Sequence, residues 1–278
     1  MRMAFTKMHG LGNDFVVVDL RDADSASIEA ATHAPRIREL ADRRTGIGFD
    51  QWLTIGRPSG DHLADYRVFN ADGGEVEQCG NGARCIAAWL AKATDAAPGR
   101  PMALGSRGGD VTAQVDAAGQ VTTTLMAPRF DPADIPLSAD APADHYALGE
   151  LSFAAVSVGN PHCVIYVDDA VASAPLLNIA ETVDTSGRFP EGVNVGLAQV
   201  TGPDRIDLRV RERGVGETRA CGTGAAAAAV IGLRDGRVSG PVNVQLAGGT
   251  LVVDWRPSGG GIAISGPAQT AYEGYVTL

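Results

Sequence analysis

Little in this sequence is basic, aromatic, or long and apolar. Lys and Arg number 23 against 33 Asp and Glu, a net charge of -10. A nucleic-acid partner needs a basic face, and this balance argues against one. No uninterrupted apolar run reaches the roughly 20 residues of a membrane span. The opening "MRMAFTKMHGLGNDFVVVD" has neither the apolar core nor the cleavage site of a secretory signal. The expectation is a cytoplasmic protein with no membrane partner.

Cysteine is scarce as well. Cys79, Cys85, Cys163 and Cys221 are the four in 278 residues, and no two form a Cys-x-x-Cys pair. That spacing gives a structural zinc site little support, and no metal is expected. In a cytoplasmic chain of this length, metal ligation or catalysis outranks a disulfide framework.

What is abundant is glycine, with 35 residues. Short β-rich runs recur, such as "FVVVD" (15–19), "QWLTIG" (51–56) and "DYRVF" (65–69). A hairpin is expected over 111–127. Four helices are expected, over 35–44, 174–183, 82–93 and 224–233. The last two, "GARCIAAWLAKA" and "GAAAAAVIGL", are apolar almost all round, so they should be buried. Their alanines and glycines make them thin enough for strands to wrap closely. The proline-rich stretch 128–142 reads as a linker.

The chain repeats itself. Shifted by 142 positions, Arg67–Ala83 falls on Arg209–Ala225 with eight of 17 residues identical. "GNDFVVV" (12–18) echoes "GNPHCVI" (159–165), and Gln51 corresponds to Asn194 inside a short strand. The order of elements agrees in both halves, so two domains of one α/β fold are expected.

Each half places a cysteine before a Gly-x-Gly and a helix: "CGNGA" at 79–83 and "CGTGA" at 221–225. A helix N-terminus carries unpaired N–H groups and partial positive charge. A thiol there ionises more easily, and an anion can approach closely because glycine has no side chain. If the two domains face each other about a pseudo-two-fold, both sulfurs point at one interdomain cleft. A substrate carboxylate then sits between the helices, with one sulfur on each face of the adjacent carbon. One thiolate removes a proton and the opposite thiol delivers one, which inverts the stereocentre with no cofactor. Cys79 and Cys221 carry that reading; Cys85 and Cys163 read as packing residues.

"MHGLGNDFVVVD" (8–19), "FNADGGEVEQCGNGARC" (69–85), "GNPHCV" (159–164), "EGVNV" (191–195) and "RERGVGETRACGTGA" (211–225) together resemble diaminopimelate epimerase. The wider superfamily includes proline racemases, hydroxyproline epimerases and cysteine-free phenazine-pathway isomerases. The resemblance implies two pseudo-symmetric domains, each a curved sheet wrapped around a central helix. It sets them at 1–127 plus about 268–278, and at 128–267, with the last strand completing the first. It implies interconversion of LL- and meso-diaminopimelate, a step toward lysine and peptidoglycan, without a cofactor, in a homodimer. Cys79 and Cys221 become the paired acid and base, with His162 and Glu212 tuning their ionisation. Backbone N–H groups of Gly80, Asn81, Gly222 and Thr223 hold the reacting carboxylate. Asn13, Gln51, Asn70, Asn160, Asn194, Glu212 and Arg213 match substrate-contacting positions.

The residues themselves agree in kind. Arg213 offers a planar fork for a far carboxylate and Glu212 a charge for an ammonium group. Asn13 and Asn160 each follow a glycine, which a turn would also explain, and His162 could be a bonded strand residue. One departure from the family is the absence of a further cysteine in Ala225–Ala229 of the second helix. Two other functions remain open at this stage. One is a racemase of a smaller amino or imino acid; the other is a metal or redox protein using the four cysteines.

Overall fold

The computed structural model describes residues 2–77 and 79–278. The chain divides into two compact units, Met1–Thr123 with Gly266–Leu278, and Thr124–Ser265.

The first unit runs β1 (Arg2–Gly10), β2 (Asn13–Asp19), α1 (Ser25–Ala31), α2 (Ala34–Ala41), β3 (Gln51–Gly56), β4 (Ala64–Asn70), β5 (Glu75–Val76), α3 (Gly80–Ala93), β6 (Met102–Gly105) and β7 (Val111–Val115). β1 and β2 are antiparallel, β2 and β3 parallel, β3 and β4 antiparallel. β4 then pairs antiparallel with β5 and parallel with β6. The run "FVVV" in β2 is continuous because both faces of the strand are covered. Phe15 and Val17 pack in the cluster around α3, and Val16 and Val18 pack with Ile37 and Leu40 of α2. Strand side chains alternate between faces, so an apolar run without alternation marks a strand buried on both sides.

β8 (Gln120–Leu125) follows β7 through a turn closed by Asp116 N–H on Gln120 O at 3.0 Å. The second unit continues with β9 (Tyr146–Leu148), β10 (Leu151–Ser157), β11 (Pro161–Tyr166), α4 (Leu176–Thr185), β12 (Asn194–Gly202), β13 (Arg205–Glu212) and β14 (Gly216–Thr218). It closes with α5 (Gly222–Arg234), β15 (Val242–Leu246), β16 (Gly249–Asp254) and β17 (Ile262–Pro267). Its pairing copies the first unit strand for strand. β10 and β11 are antiparallel, β11 and β12 parallel, β12 and β13 antiparallel. β13 pairs antiparallel with β14 and parallel with β15. The last strand, β18 (Gln269–Thr277), lies antiparallel to β1 in the first unit.

The sheets close around their helices as the composition required. Every residue from Gly224 to Gly232 in α5 is buried, and Ala225–Ile231 are fully so. Gly232 is needed for this approach, because a Cβ there would lie 2.5 Å from the Tyr166 hydroxyl. In α3, Ala83, Cys85, Ile86, Ala87 and Leu90 are buried, and so is a charged residue, Arg84.

Helix bounds depart from expectation in several places; α3 and α5 each start two residues early, at Gly80 and Gly222. α2 stops at Ala41 rather than 44, because the Asp42 carboxylate accepts the N–H groups of Arg44 and Thr45 and turns the chain away. α4 starts two residues later than expected, after Pro175. A fifth helix, α1, was not foreseen; Asp24 caps it by accepting Ser27 N–H at 2.8 Å.

Candidate active site

The repeat around the cysteines has a mechanical cause. Arg67 forms a two-pronged ion pair with Glu75 (both contacts 2.8 Å), and Arg209 does the same with Glu217 (2.7 and 3.0 Å). Each pair ties the short strand β5 or β14 to the long strand beside it. The short strands end at Val76 and Thr218, three positions before Cys79 and Cys221. Paired guanidinium–carboxylate bonds fix direction as well as distance, so in each unit the short strand before the cysteine is anchored to its neighbour.

Both cysteines are helix caps. Cys79 (φ -140°, ψ 115°) and Cys221 (φ -122°, ψ 108°) stand in extended backbone just before α3 and α5. The Cys79 sulfur accepts the Gly82 N–H at 3.4 Å, and the Cys221 sulfur accepts the Gly224 N–H at 3.3 Å. The cap engages the third N–H of each helix. The first two, from Gly80 and Asn81 in one unit and Gly222 and Thr223 in the other, are those that no intrahelical carbonyl can reach. Gly224 allows this geometry: a Cβ there would lie 2.8 Å from Val210 Cγ2 and 3.2 Å from the Cys221 sulfur.

In the first unit, α3, β2, β3 and β4 bring Asn13, Gln51, Asn70, Gly80 and Asn81 to the same end as Cys79. Gln51 Nε2 donates to Asn70 Oδ1 at 2.9 Å across the β3–β4 ladder, where the two residues are register partners. Asn81 Nδ2 donates to Asn13 Oδ1 at 3.1 Å, and Asn13 Nδ2 donates to Asp50 Oδ2 at 2.9 Å. Asp50 belongs to a charged cluster with Arg43, Asp14 and the buried Lys7. Hydrogen bonds from Arg43 and Lys7 outweigh the burial of Asp14 and hold its carboxyl far below the usual range.

In the second unit, β11, β12, β13 and α5 bring Asn160, His162, Asn194, Glu212, Arg213, Gly222 and Thr223 to Cys221. Burial depresses His162 to about 3, so its imidazole is neutral at physiological pH. Its Nε2 faces Asn160 Oδ1 at 3.1 Å, and an acceptor there assigns the hydrogen to Nε2. Asn160 Nδ2 donates to Thr223 Oγ1 at 3.4 Å, and Thr223 Oγ1 lies 3.6 Å from the Cys221 sulfur. His162 is therefore linked to Cys221 through Asn160 and Thr223 as a neutral imidazole, not as a cation. Glu212 accepts from the Thr218 hydroxyl at 2.5 Å and lies against Cys221. Asn194 Nδ2 donates to Pro161 O at 3.1 Å, and its Oδ1 accepts Arg213 N–H at 2.9 Å. Arg213 is exposed; one nitrogen holds Glu191 O at 2.7 Å and its chain lies over Gly192. Gly192 (φ 74°) leaves that space, since a Cβ would come 2.8 Å from Arg213 Cδ.

The expected ease of ionisation does not hold for Cys221. Burial first, and the Glu212 charge second, push its thiol well above the ordinary value, against the weaker help of Thr223 and the Gly224 N–H. Desolvation outweighs the helix terminus because the sulfur is 4 % exposed. Among the described residues, none of the four cysteines is joined in a disulfide. Cys85 and Cys163 are fully buried, the former pushed up to about 12 and the latter higher still, which makes both poor nucleophiles.

Sequence reasoning missed Arg84, Asp50 and Thr218. Arg84 left a signal: it is the one charge in the first half of a helix otherwise apolar all round. Asp50 and Thr218 left none, since each matters only through the residue it meets across the fold.

Two duplicated units with buried central helices define an architecture shared with racemases and epimerases. A hydroxyproline epimerase from Agrobacterium vitis superposes with a TM-score of 0.67 at 16 % identity, covering all of this chain and 93 % of that one. A predicted epimerase from Pseudomonas aeruginosa superposes with a TM-score of 0.69 at 18 % identity over 99 % of both chains. The family model for diaminopimelate epimerase matches residues 5–129 and 154–271. A diaminopimelate epimerase from Pseudomonas entomophila (strain L48) is 46 % identical over the full length of both chains. This chain belongs to the diaminopimelate epimerase family, a family of isomerases. Among the described residues, no helix is long and apolar enough to cross a membrane, and no group of His, Cys, Asp and Glu could hold a metal ion.

Proposed function

We propose that the protein epimerises LL-diaminopimelate and meso-diaminopimelate, with Cys79 and Cys221 as the two proton-transfer groups. The observation that carries this reading is that each unit caps its buried helix with a cysteine sulfur. A thiol so placed stands beside the N–H groups that would bind a carboxylate.

The chemistry then balances without redox change. The Cys79 thiolate takes the α-proton and becomes a thiol. The electron pair left on carbon spreads into the α-carboxylate, where the first N–H groups of α3 and α5 stabilise the growing charge. The Cys221 thiol delivers its proton to the opposite face and becomes the thiolate. Cys221 suits the donor's part in the resting enzyme, because burial and Glu212 hold it protonated. The next turnover runs the other way. Glu212 and Arg213, with Asn70 and Asn194, would recognise the distal amino-acid end. A cytoplasmic location belongs to this reading, because a reducing compartment keeps both thiols free.

The test is turnover of LL-diaminopimelate under reducing conditions with no cofactor added. Product formation is expected, and Cys79→Ala and Cys221→Ala should each abolish it with the fold intact. In heavy water, two single-face bases should place deuterium first in the product. Equal early labelling of substrate and product would refute the two-base assignment. Turnover of proline but not of diaminopimelate would refute the substrate.

A further inference from the structure

Arg84 is the least expected residue of the first unit. It lies in the second turn of α3, is 0 % exposed, and has no carboxylate partner among the described residues. Its Nη2 donates to Asn81 Oδ1 at 2.6 Å, while Nε and Nη1 have no partner among the described residues. Burying a guanidinium this way is costly, because a charge leaves water without a counter-charge. A buried polar group left incompletely satisfied calls for a functional account.

The account lies in what Arg84 does to its neighbours. Arginine only donates, so the atom of Asn81 that faces it must be the oxygen. The Asn81 amide nitrogen must then face Asn13, whose facing atom must in turn be its oxygen. The Asn13 nitrogen is left facing Asp50, a carboxylate that only accepts. The chain Arg84→Asn81→Asn13→Asp50 therefore has one direction. A donor-only group fixes it at the buried end and an acceptor-only group at the exposed end. Reversing either asparagine would put oxygen against oxygen at one contact and waste both ends. Asp50 is itself held by Arg43 at 2.7 Å and accepts Asp14 N–H at 3.1 Å, so the outer end does not drift.

The geometry points to Arg84 and Asp50 as paired positioning residues that set which way the Asn13 and Asn81 amides present donors and acceptors to substrate. This rests on the reading that Asn13 and Asn81 line the substrate site beside Cys79.

The test is steady-state kinetics on LL-diaminopimelate with Arg84→Met, Arg84→Lys and Asp50→Asn, alongside Cys79→Ser. Misdirected amides weaken substrate binding, so R84M and D50N should each raise KM by about 10-fold or more, the scale of a hydrogen bond to a charged group. Their kcat should stay within about threefold, since lost ground-state contacts act on KM. R84K keeps a donor and should return KM to within about threefold of the parent. A merely structural role predicts the reverse, a lower kcat from less folded enzyme with KM unchanged, and that result overturns the proposal. D50N keeps shape at an exposed position, so it decides the matter if R84M does not fold; an unchanged KM in D50N overturns the proposal. C79S separates the two levels. An inactive C79S with parental KM in D50N sinks this inference alone, whereas an active C79S sinks the two-thiol reading beneath it.

Discussion

Lowering the pH should destabilise the second unit through a single buried imidazole. His162 is 1 % exposed and depressed to about 3 by burial, against 6.5 for an ordinary histidine. Below 6.5 the unfolded chain takes up a proton that the folded chain refuses. The unfolded state then binds more protons, so stability falls as pH falls, through the window from about 6.5 down to about 3. At pH 5 the unfolded form gains about 1.4 kcal/mol for each of the roughly 1.5 units below 6.5, a loss of about 2 kcal/mol. The assay is urea unfolding at pH 7, 6 and 5 for the parent and for His162→Gln, which cannot titrate. The variant will be less stable at pH 7, because it loses packing and its bond to Asn160. What matters is the difference between the two proteins, which should shrink by about 2 kcal/mol between pH 7 and pH 5. Other shifted groups, such as Asp14 and the half-buried His62, titrate in both proteins and cancel in that difference. If the two stability curves run parallel, His162 is not buried neutral and its role as an uncharged dipole beside Asn160 is wrong.

Other outcomes follow from the same geometry. Gly224→Ala should push the Cys221 sulfur off its cap, given a Cβ 3.2 Å from it and 2.8 Å from Val210. Turnover should fall at least about 100-fold, since about 1 Å of misplacement is enough for that; parental turnover would show that the cap is not needed. Gly232→Ala should cost about 1–3 kcal/mol by driving a methyl into the Tyr166 hydroxyl, which donates to Ala228 O; thermal unfolding measures it. Arg209→Ala should destabilise more than Arg67→Ala, because Arg209 also donates to the carbonyls of Val171, Ala172 and Ala174; the two midpoints decide. Iodoacetamide on the native protein should leave Cys85 and Cys163 unlabelled, as mass spectrometry of tryptic peptides would reveal, because both are fully buried with thiols held protonated.

Much of the site was legible because its signals are local. A cysteine, two glycines and a small-residue helix sit within a few positions, and the cap they form uses a bond three residues long. The duplication was legible for the same reason, since Arg67, Glu75 and Cys79 recur at a single shift of 142 as Arg209, Glu217 and Cys221. The thin helices followed from alanine and glycine content alone. The fifth helix was not legible, because seven residues capped by Asp24 carry too little periodicity to stand apart from a loop. The end of α2 was missed because a side chain, Asp42, competes for the backbone there.

The sequence by itself determined which atoms could do chemistry: two sulfurs at helix starts, amides nearby, and a repeat that doubles them. Only the tertiary structure decided their state. Cys221 carries a strongly raised thiol because strands bury it beside Glu212, and His162 is neutral because no water reaches it. Arg84 matters because folding brings its donor to Asn81 and carries the consequence on to Asn13 and Asp50, across gaps of 68 and 37 residues. Residue type fixes what a group can donate or accept, whereas desolvation and hydrogen-bond direction are properties of neighbours, and distant neighbours exist only in the folded chain.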